Sequence, residues 1–493
     1  MQTQKRFDVA IIGSGFAGSI LASILAKRNL RVVMIDSTSH PRFAIGESST
    51  PIADIVLRRL GRTYDLPELV SLSTWGSWQR DHHRVTCGCK RGFSYFAHSL
   101  GHEFSEPSLG DRSLLVAASS HDDVADTHWY RPEVDHFLHS LAVAQGATAL
   151  DNHEVVGIES VGNGYSVQCK GKTNRSVEAT WVIDASGRAG TTAKLCDGVN
   201  LIDQMRTRTH SVFAHYRGVG KWTGFRRDRG EELSDDPFDA DDAAQHHVLQ
   251  DGWLWMLRFC NGITSVGYTT KMERSLEYSG YPSIELMMEQ ADRTAPHVAP
   301  HTSPKRDDNA IKPQSSGRLQ RFYDPLVADR IVMLPTAAVT IDPLHSTGIA
   351  HAIAGVDRVA DLLLETDTER KSTMLREYRS AVIDETRLAD RLVHTAYETM
   401  QDFPRFTVAC MLYFAGAIRC EERFQSGDQP AKLWNADDDA FVEFVHWACD
   451  LLCDPTVNEF HDMIEQRMRP WNTAGLMNPE VKNRYAYTAT KSS

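Results

Sequence analysis

The chain opens on an apolar run, Val9-Ala10-Ile11-Ile12, that reads as a buried strand, and residues 31–35 supply a second one after an intervening helical stretch. Residues 132–147 place Val134, Phe137, Leu138, Leu141 and Val143 on or near one face, which predicts a helix. The next two segments, 154–160 and 164–170, alternate apolar with polar positions and meet at Gly162-Asn163-Gly164, a hairpin signal. Trp181-Val182-Ile183-Asp184 is an apolar strand that ends in the small-residue turn Ala185-Ser186-Gly187-Arg188. A comparable strand over 330–335 leads through Ala337-Ala338 to 341–348, which opens a helix at Ile349. Between them, 205–320 carries alternating segments such as 211–216 and 252–259 and reads as strand-rich. Residues 224–245 hold many Asp, Glu and Arg with few apolar positions. They predict a solvated, mobile loop in preference to a device for binding a charged partner. From Thr366 onward the pattern is mostly helical, with a break at 427–430. The apolar stretch 406–418 is too short to span a bilayer and reads as a buried helix.

Composition narrows the picture. At 493 residues and 42% apolar content the chain can bury a large core and is expected to divide into two or three domains. Lys and Arg total 53 against 65 Asp and Glu, a formal net charge of −12 with no basic run, so nucleic acid and anionic membrane are poor partners. The N-terminus enters a strand with no signal peptide ahead of it, and the nine cysteines follow no framework spacing; both point to reduced thiols and a cytoplasmic location. Cys87-Gly88-Cys89 and the Cys449, Cys453 pair lack a second pair or a histidine set at zinc spacing, so no metal site is expected.

Chemistry enters at Gly13-Ser14-Gly15-Phe16-Ala17-Gly18. Gly13 allows the tight turn after the first strand, Gly15 lets backbone approach a pyrophosphate, and Gly18 lets the next helix pack on the sheet with its N-terminus toward phosphate. Asp36, at the end of the second strand, sits where a carboxylate accepts the adenosine ribose hydroxyls. The element order then predicts an α/β fold. Residues 1–60, 126–204 and 321–365 form a Rossmann-like domain that binds FAD. Residues 61–125 and 205–320 form a strand-rich substrate domain, and 366–493 a helical C-terminal region. A search for a second fingerprint finds only Gly218-Val219-Gly220, without a third glycine or a following helix, so no separate nicotinamide site is expected. NAD(P)H visits transiently, or a partner reductase delivers reduced flavin.

Several motifs resemble the flavin-dependent halogenases, a family that shares its fold with the single-component aromatic hydroxylases (the glutathione-reductase type). The segment Pro41-Arg42-Phe43-Ala44-Ile45-Gly46-Glu47-Ser48-Ser49-Thr50-Pro51 resembles the family's Gly-Glu-(Ala/Ser)-x-x-Pro stretch, which runs along the flavin. Trp253-Leu254-Trp255-Met256-Leu257 is similar to most of the W-x-W-x-I-P signature. Asp342-Pro343-Leu344-His345-Ser346-Thr347-Gly348-Ile349 resembles the segment whose amides hold halide, and Cys87-Gly88-Cys89-Lys90-Arg91-Gly92-Phe93 the strand that presents a catalytic lysine. The resemblance runs to about residue 360 and is weaker in the helical tail.

The resemblance implies FAD, supplied as FADH2, held by Gly13, Gly15, Phe16, Ala17, Gly18, Asp36, Arg42, Glu47, Ser48, Arg131, Asp184, Asp342, Gly348 and Ile349. It implies chloride or bromide at Ser346, Thr347 and Gly348, and Trp253 and Trp255 as walls of a tunnel between flavin and substrate, although two tryptophans on one strand face also suit a core. Reduced flavin and O2 would give a hydroperoxide that oxidises halide to hypohalous acid. Lys90 would then hydrogen-bond or capture that oxidant and aim it at an electron-rich ring. Lys90 and Arg91 are adjacent, so on a strand only one of them faces inward. His345 reads either as a base for a substrate proton or as a helix cap, and Arg131 as a flavin contact or a salt bridge.

The partners implied are a small aromatic substrate, free or tethered to a carrier protein, and a separate flavin reductase. Three departures qualify the match. Arg258 replaces the signature proline, which leaves a flavin hydroxylase or monooxygenase open beside a geranylgeranyl-reductase-like enzyme. Pro335-Thr336 replaces the Gly-Asp of the third flavin motif. Tryptophan halogenases carry a glutamate where this chain has His345, and their lysine near Trp75-Gly76-Ser77-Trp78-Gln79-Arg80. Both differences point toward a phenol, resorcinol or pyrrole.

Overall fold

Two eight-stranded sheets carry the fold, and the apolar runs explain the first. In the computed structural model, which describes residues 6–277, 279–292 and 313–486, Phe7–Ile12 lies between Arg175–Asp184 and Val32–Ile35, parallel to both. Part of the 205–320 stretch and the ends of 1–60 and 366–493 fall outside these residues. Val9, Ala10 and Ile11 are fully buried, as a central parallel strand covered on both faces requires. Ile331–Met333 adds parallel to Arg175–Asp184, and the hairpin Glu154–Val161 with Gly164–Lys170 attaches antiparallel to the same strand.

The helix expected over 132–147 runs over Arg131–Ala144, with Pro132 in its first turn where a missing N–H costs nothing. Its buried face comprises Val134, Leu138, Leu141 and Ala142; Val143 points outward, 44% exposed.

The second sheet runs Gln314–Arg318, Thr209–Arg217, Ile263–Lys271, Gly252–Arg258, Ala244–Val248, Gly92–Ala97, Ser113–Ala117 and Arg484–Tyr485. The C-terminal region is therefore not helical throughout, because its last strand returns to pair parallel with Ser113–Ala117. Asp126–Trp129 joins neither sheet: it pairs antiparallel with Cys87–Lys90, placing Asp126 opposite Lys90. Three long helices follow the Thr347–Leu364 helix, each opened by an aspartate side chain. Asp367 accepts from the Arg370 amide, Asp402 from Arg405 and Asp438 from Phe441. Among the described residues no helix is long and apolar enough to cross a membrane.

The 224–245 segment differs from the expected loop. Arg226 is buried and holds Glu231 at 2.7 Å and Asp236 at 2.6 Å. Asp236 also binds Arg484 of the final strand at 2.7 Å, while buried Asp241 accepts from the Trp222 and Thr223 amides. Desolvation would lower the Arg226 pKa, but its carboxylate partners outweigh that and raise it. Charge density here marks a buried ion-pair network whose partners come from distant parts of the chain.

Candidate active site

The parallel strands end at a cavity of about 770 Å³, a size suited to a dinucleotide. Gly13, Gly15, Phe16, Ala17, Asp36, Arg42, Glu47, Ser48 and Arg131 line it, with Gly348 and Ile349 at the far side. Gly13 has φ +101°, and a Cβ there would lie 2.5 Å from the Ala185 carbonyl oxygen. Gly18 lies outside the lining and serves packing instead, since a Cβ would fall 2.2 Å from the Gly13 oxygen. The Asp36 carboxylate is fixed by the Ser14 amide at 2.8 Å, the Thr38 amide at 3.0 Å and Arg42 at 2.6 Å. Burial alone would raise its pKa; Arg42 and the two amides outweigh burial and hold it below the usual range. Arg131 makes a two-pronged pair with Asp135 and donates to the Ile45 and Gly46 carbonyls, so it holds the 45–48 strap while facing the cavity.

Two further residues expected to contact the cofactor, Asp184 and Asp342, lie off the lining. Asp184 is fully buried and accepts from the Ser186 amide and from the amide and hydroxyl of Thr192, which fixes the turn after its strand. Asp342 is also fully buried, 2.6 Å from the Thr209 hydroxyl and 2.9 Å from that of Tyr397. Burial pushes Asp342 up to about 6 against those hydrogen bonds. Neither carboxylate lines the cavity.

The remaining residues fit FAD on two counts. The Glu47 Oε2 atom is buried on the lining with no protein partner, while Oε1 is 2.7 Å from His215 Nε2. Gly348 offers a bare backbone, since a Cβ there would meet nothing within 4 Å.

At the far side, Ser346 adopts φ +54° before the Thr347–Leu364 helix. That left-handed turn costs a non-glycine residue about 1–2 kcal/mol, and strain of this kind is typical of functional turns. It lays Ser346, Thr347 and Gly348 along the cavity wall at a helix N-terminus, where amides without intrahelical acceptors favour an anion. The Ser346 hydroxyl is 3.1 Å from that of Ser48.

Trp253 and Trp255 both line the cavity and both belong to the core. The Trp253 indole donates to the Tyr397 hydroxyl at 2.9 Å, and the Trp255 ring fills the space left by Gly267. Arg258, in place of the signature proline, points elsewhere: it binds Asp241 at 2.7 Å and the Val219 and Gly220 carbonyls.

Of the adjacent pair, Lys90 points inward and is fully buried, whereas Arg91 reaches Asp122 at 2.8 Å. The Lys90 ammonium donates to the Ser49 carbonyl and lies 3.9 Å from the centre of the Phe93 ring. His128 and His246 flank it, both pushed down to about 3 by burial first, with the Lys90 charge acting the same way. His345 stacks on Tyr413, with ring centres 4.3 Å apart, and neither ring nitrogen has a protein partner. Burial, aided by His246, pushes it down to about 3, so it is neutral at working pH.

Tyr413, Phe93 and Thr50 line a second, small and largely apolar cavity. Three consecutive residues therefore define a partition: Ser48 faces the large cavity, Ser49 holds the lysine, and Thr50 faces the small one. Local sequence did not single out His215, His246, Asp126 or Tyr413. Asp126 emerges only from the strand register, and His246 from the parallel pairing of Ala244–Val248 with Gly92–Ala97.

Comparison with known proteins agrees with this geometry. The profile described as tryptophan halogenase matches residues 127–406, and an NAD(P)-binding Rossmann-like profile matches 11–65. The tetracycline 7-halogenase of Kitasatospora aureofaciens is 26% identical over 425 residues, covering 84% of this chain and 74% of that protein. The monodechloroaminopyrrolnitrin halogenase PrnC of Pseudomonas fluorescens is 24% identical over 452 residues, covering 88% and 76%. The crystal structure of halogenase PltM with phloroglucinol and FAD superposes with a TM-score of 0.83 at 24% identity, covering 97% of this chain and 99% of that one. With more than half of its length matched, the chain belongs to the tryptophan halogenase family and is a flavin-dependent halogenase, an enzyme that works with FAD, halide and dioxygen.

Proposed function

We propose that this enzyme chlorinates or brominates a small electron-rich aromatic, a phenol, resorcinol or pyrrole. The observation that carries the reading is the buried Lys90 ammonium at the partition between the two cavities. Reduced FAD with dioxygen supplies the oxidising equivalent that makes bound halide electrophilic. Thr347 and Gly348 hold the halide through backbone N–H groups, and the Ser346 turn sets their direction. Trp253 and Trp255 keep water and the substrate ring off the cofactor. Lys90 donates a hydrogen bond to the halogenating oxidant on its way from the large cavity to the substrate ring.

At the ring, the carbon–halogen bond forms and the same carbon then loses its proton. His345 takes that proton. The halogenated ring cation is strongly acidic, so a weakly basic imidazole that stays neutral suffices. A phenolic substrate agrees with phloroglucinol in the PltM complex. A separate reductase provides reduced flavin, since only one dinucleotide fingerprint is present; the substrate arrives free or on a carrier, in a cytoplasmic setting that keeps the thiols reduced.

The test is a reaction of the purified chain with FAD, a flavin reductase, NADH and bromide against a panel of phenols and pyrroles, read by mass spectrometry. The expected product carries the bromine isotope doublet and needs bromide, air and reductase. A product that gains only oxygen would overturn the reading in favour of a hydroxylase.

A further inference from the structure

Two cysteines far apart in the chain meet beside the strand that carries Lys90. Cys87 is the first residue of Cys87–Lys90, and Cys260 stands two positions beyond Gly252–Arg258, the strand of Trp253 and Trp255. The Cys260 amide donates to the Cys87 carbonyl at 2.9 Å, so the two backbones lie side by side. They are tightly apposed, since a Cβ at Gly88 would run into the Arg258 carbonyl oxygen. Between the side chains, the Cys87 thiol donates a hydrogen bond to the Cys260 sulfur. Cys87 is fully buried and also accepts from the Gln79 side-chain amide at 3.1 Å, whereas Cys260 is exposed. The bond from Cys87, acting against burial, brings the Cys260 thiol down to about 7, so much of it is thiolate near neutral pH. The same bond, with burial, pushes Cys87 well above the ordinary range. Cys453 is exposed as well, yet its thiol is raised, first by desolvation.

An exposed thiolate touching a buried thiol is the arrangement that converts an oxidant into a disulfide. We infer that Cys87 and Cys260 form a reversible oxidation site, in which Cys260 reacts with hydrogen peroxide and Cys87 resolves the product. The oxidant comes from the enzyme's own chemistry, because reduced flavin and dioxygen yield hydrogen peroxide when no halide intercepts them. The Cys260 thiolate attacks one peroxide oxygen: an S–O bond forms, the O–O bond breaks and hydroxide leaves. The Cys87 thiol then loses its proton and its sulfur attacks that of Cys260. An S–S bond forms, the S–O bond breaks and water departs. Two thiols have then given up two electrons and two protons, and one peroxide has become two waters. A disulfide is reversed by small thiols, whereas an unresolved sulfenic acid goes on to sulfinic acid. The buried partner therefore spares the Lys90 strand an irreversible lesion.

The FAD-loaded enzyme and its Cys260→Ser and Cys87→Ser variants are each treated with hydrogen peroxide, alkylated, digested and mapped by non-reducing mass spectrometry. In the native enzyme the peptides holding Cys87 and Cys260 should be joined, and dithiothreitol should separate them. In Cys87→Ser, Cys260 should instead carry a sulfenic acid that dimedone traps. In Cys260→Ser, Cys87 should stay reduced, because it is shielded from solvent. Iodoacetamide, applied to the untreated native enzyme near neutral pH, should label Cys260 about tenfold faster than Cys453. The inference is overturned if peroxide leaves Cys260 reduced, takes it to sulfinic acid with Cys87 untouched, or joins it to Cys89. Equal labelling of Cys260 and Cys453 contradicts it as well. None of these readouts depends on halogenation, so they decide the matter whichever aromatic the enzyme uses.

Discussion

At the scale of single residues, what a side chain does was readable where its role depends on near neighbours. The turn at Gly13 and the packing role of Gly18 follow from spacing alone, because both are set by the backbone within a few positions. Asp184 ends a strand and Asp342 opens the segment before the Thr347–Leu364 helix, and in sequence both looked like cofactor contacts beside a glycine-containing turn. Their carboxylates are consumed by Thr192 in one case and by Thr209 and Tyr397 in the other, partners that no local pattern reveals. His345 shows how burial decides chemistry. An ordinary imidazole titrates near 6.5, but this one is pushed down to about 3 and stays neutral throughout the working range. Replacing it with glutamine should therefore lower kcat by about a hundredfold, a typical loss for a removed proton acceptor. The shape of the pH–rate profile between pH 5 and 8 should not change. An inflection near pH 6.5 in the native enzyme that vanishes in His345→Gln would show that His345 titrates and contradict this assignment.

At the scale of elements, periodicity located the strands, the hairpin and the helices, since each buries one face in a regular rhythm. It failed over 224–245. A run of Asp, Glu and Arg has the composition of a solvated loop, and only tertiary structure shows that Arg226 is buried among Glu231, Asp236 and the more distant Glu106. Arg484, fully 248 positions from Asp236, completes the network and ties the last strand to the second sheet. It follows that Arg226→Met should cost about 3–5 kcal/mol, because it strands buried carboxylates without their counter-charge. Urea unfolding followed by circular dichroism measures this. A loss below about 1 kcal/mol, typical of a surface pair, would show that the cluster is solvated after all.

At the scale of the whole molecule, the two sheets and the helical region divide the work. The parallel sheet presents its strand ends to the large cavity, and the Thr347–Leu364 helix closes that cavity with its N-terminus. The Phe403–Ser426 helix and the Gly92–Ala97 strand enclose the small cavity, and Cys87–Lys90 delivers one ammonium to the wall between them. The fingerprint made the first cavity legible from sequence. The second was not, because its walls come from residues near 50, 93, 116 and 413–421, which meet only in the folded chain. The central claim is that oxidant made in the large cavity reaches the aromatic substrate only through Lys90. Its most direct test compares the native enzyme with Lys90→Met in a single reaction containing reductase, NADH, FAD, bromide and resorcinol, recording oxygen uptake and brominated product together. The claim predicts near-normal oxygen uptake in the variant with brominated resorcinol lowered by at least about a hundredfold, whereas undiminished bromination in Lys90→Met would contradict it.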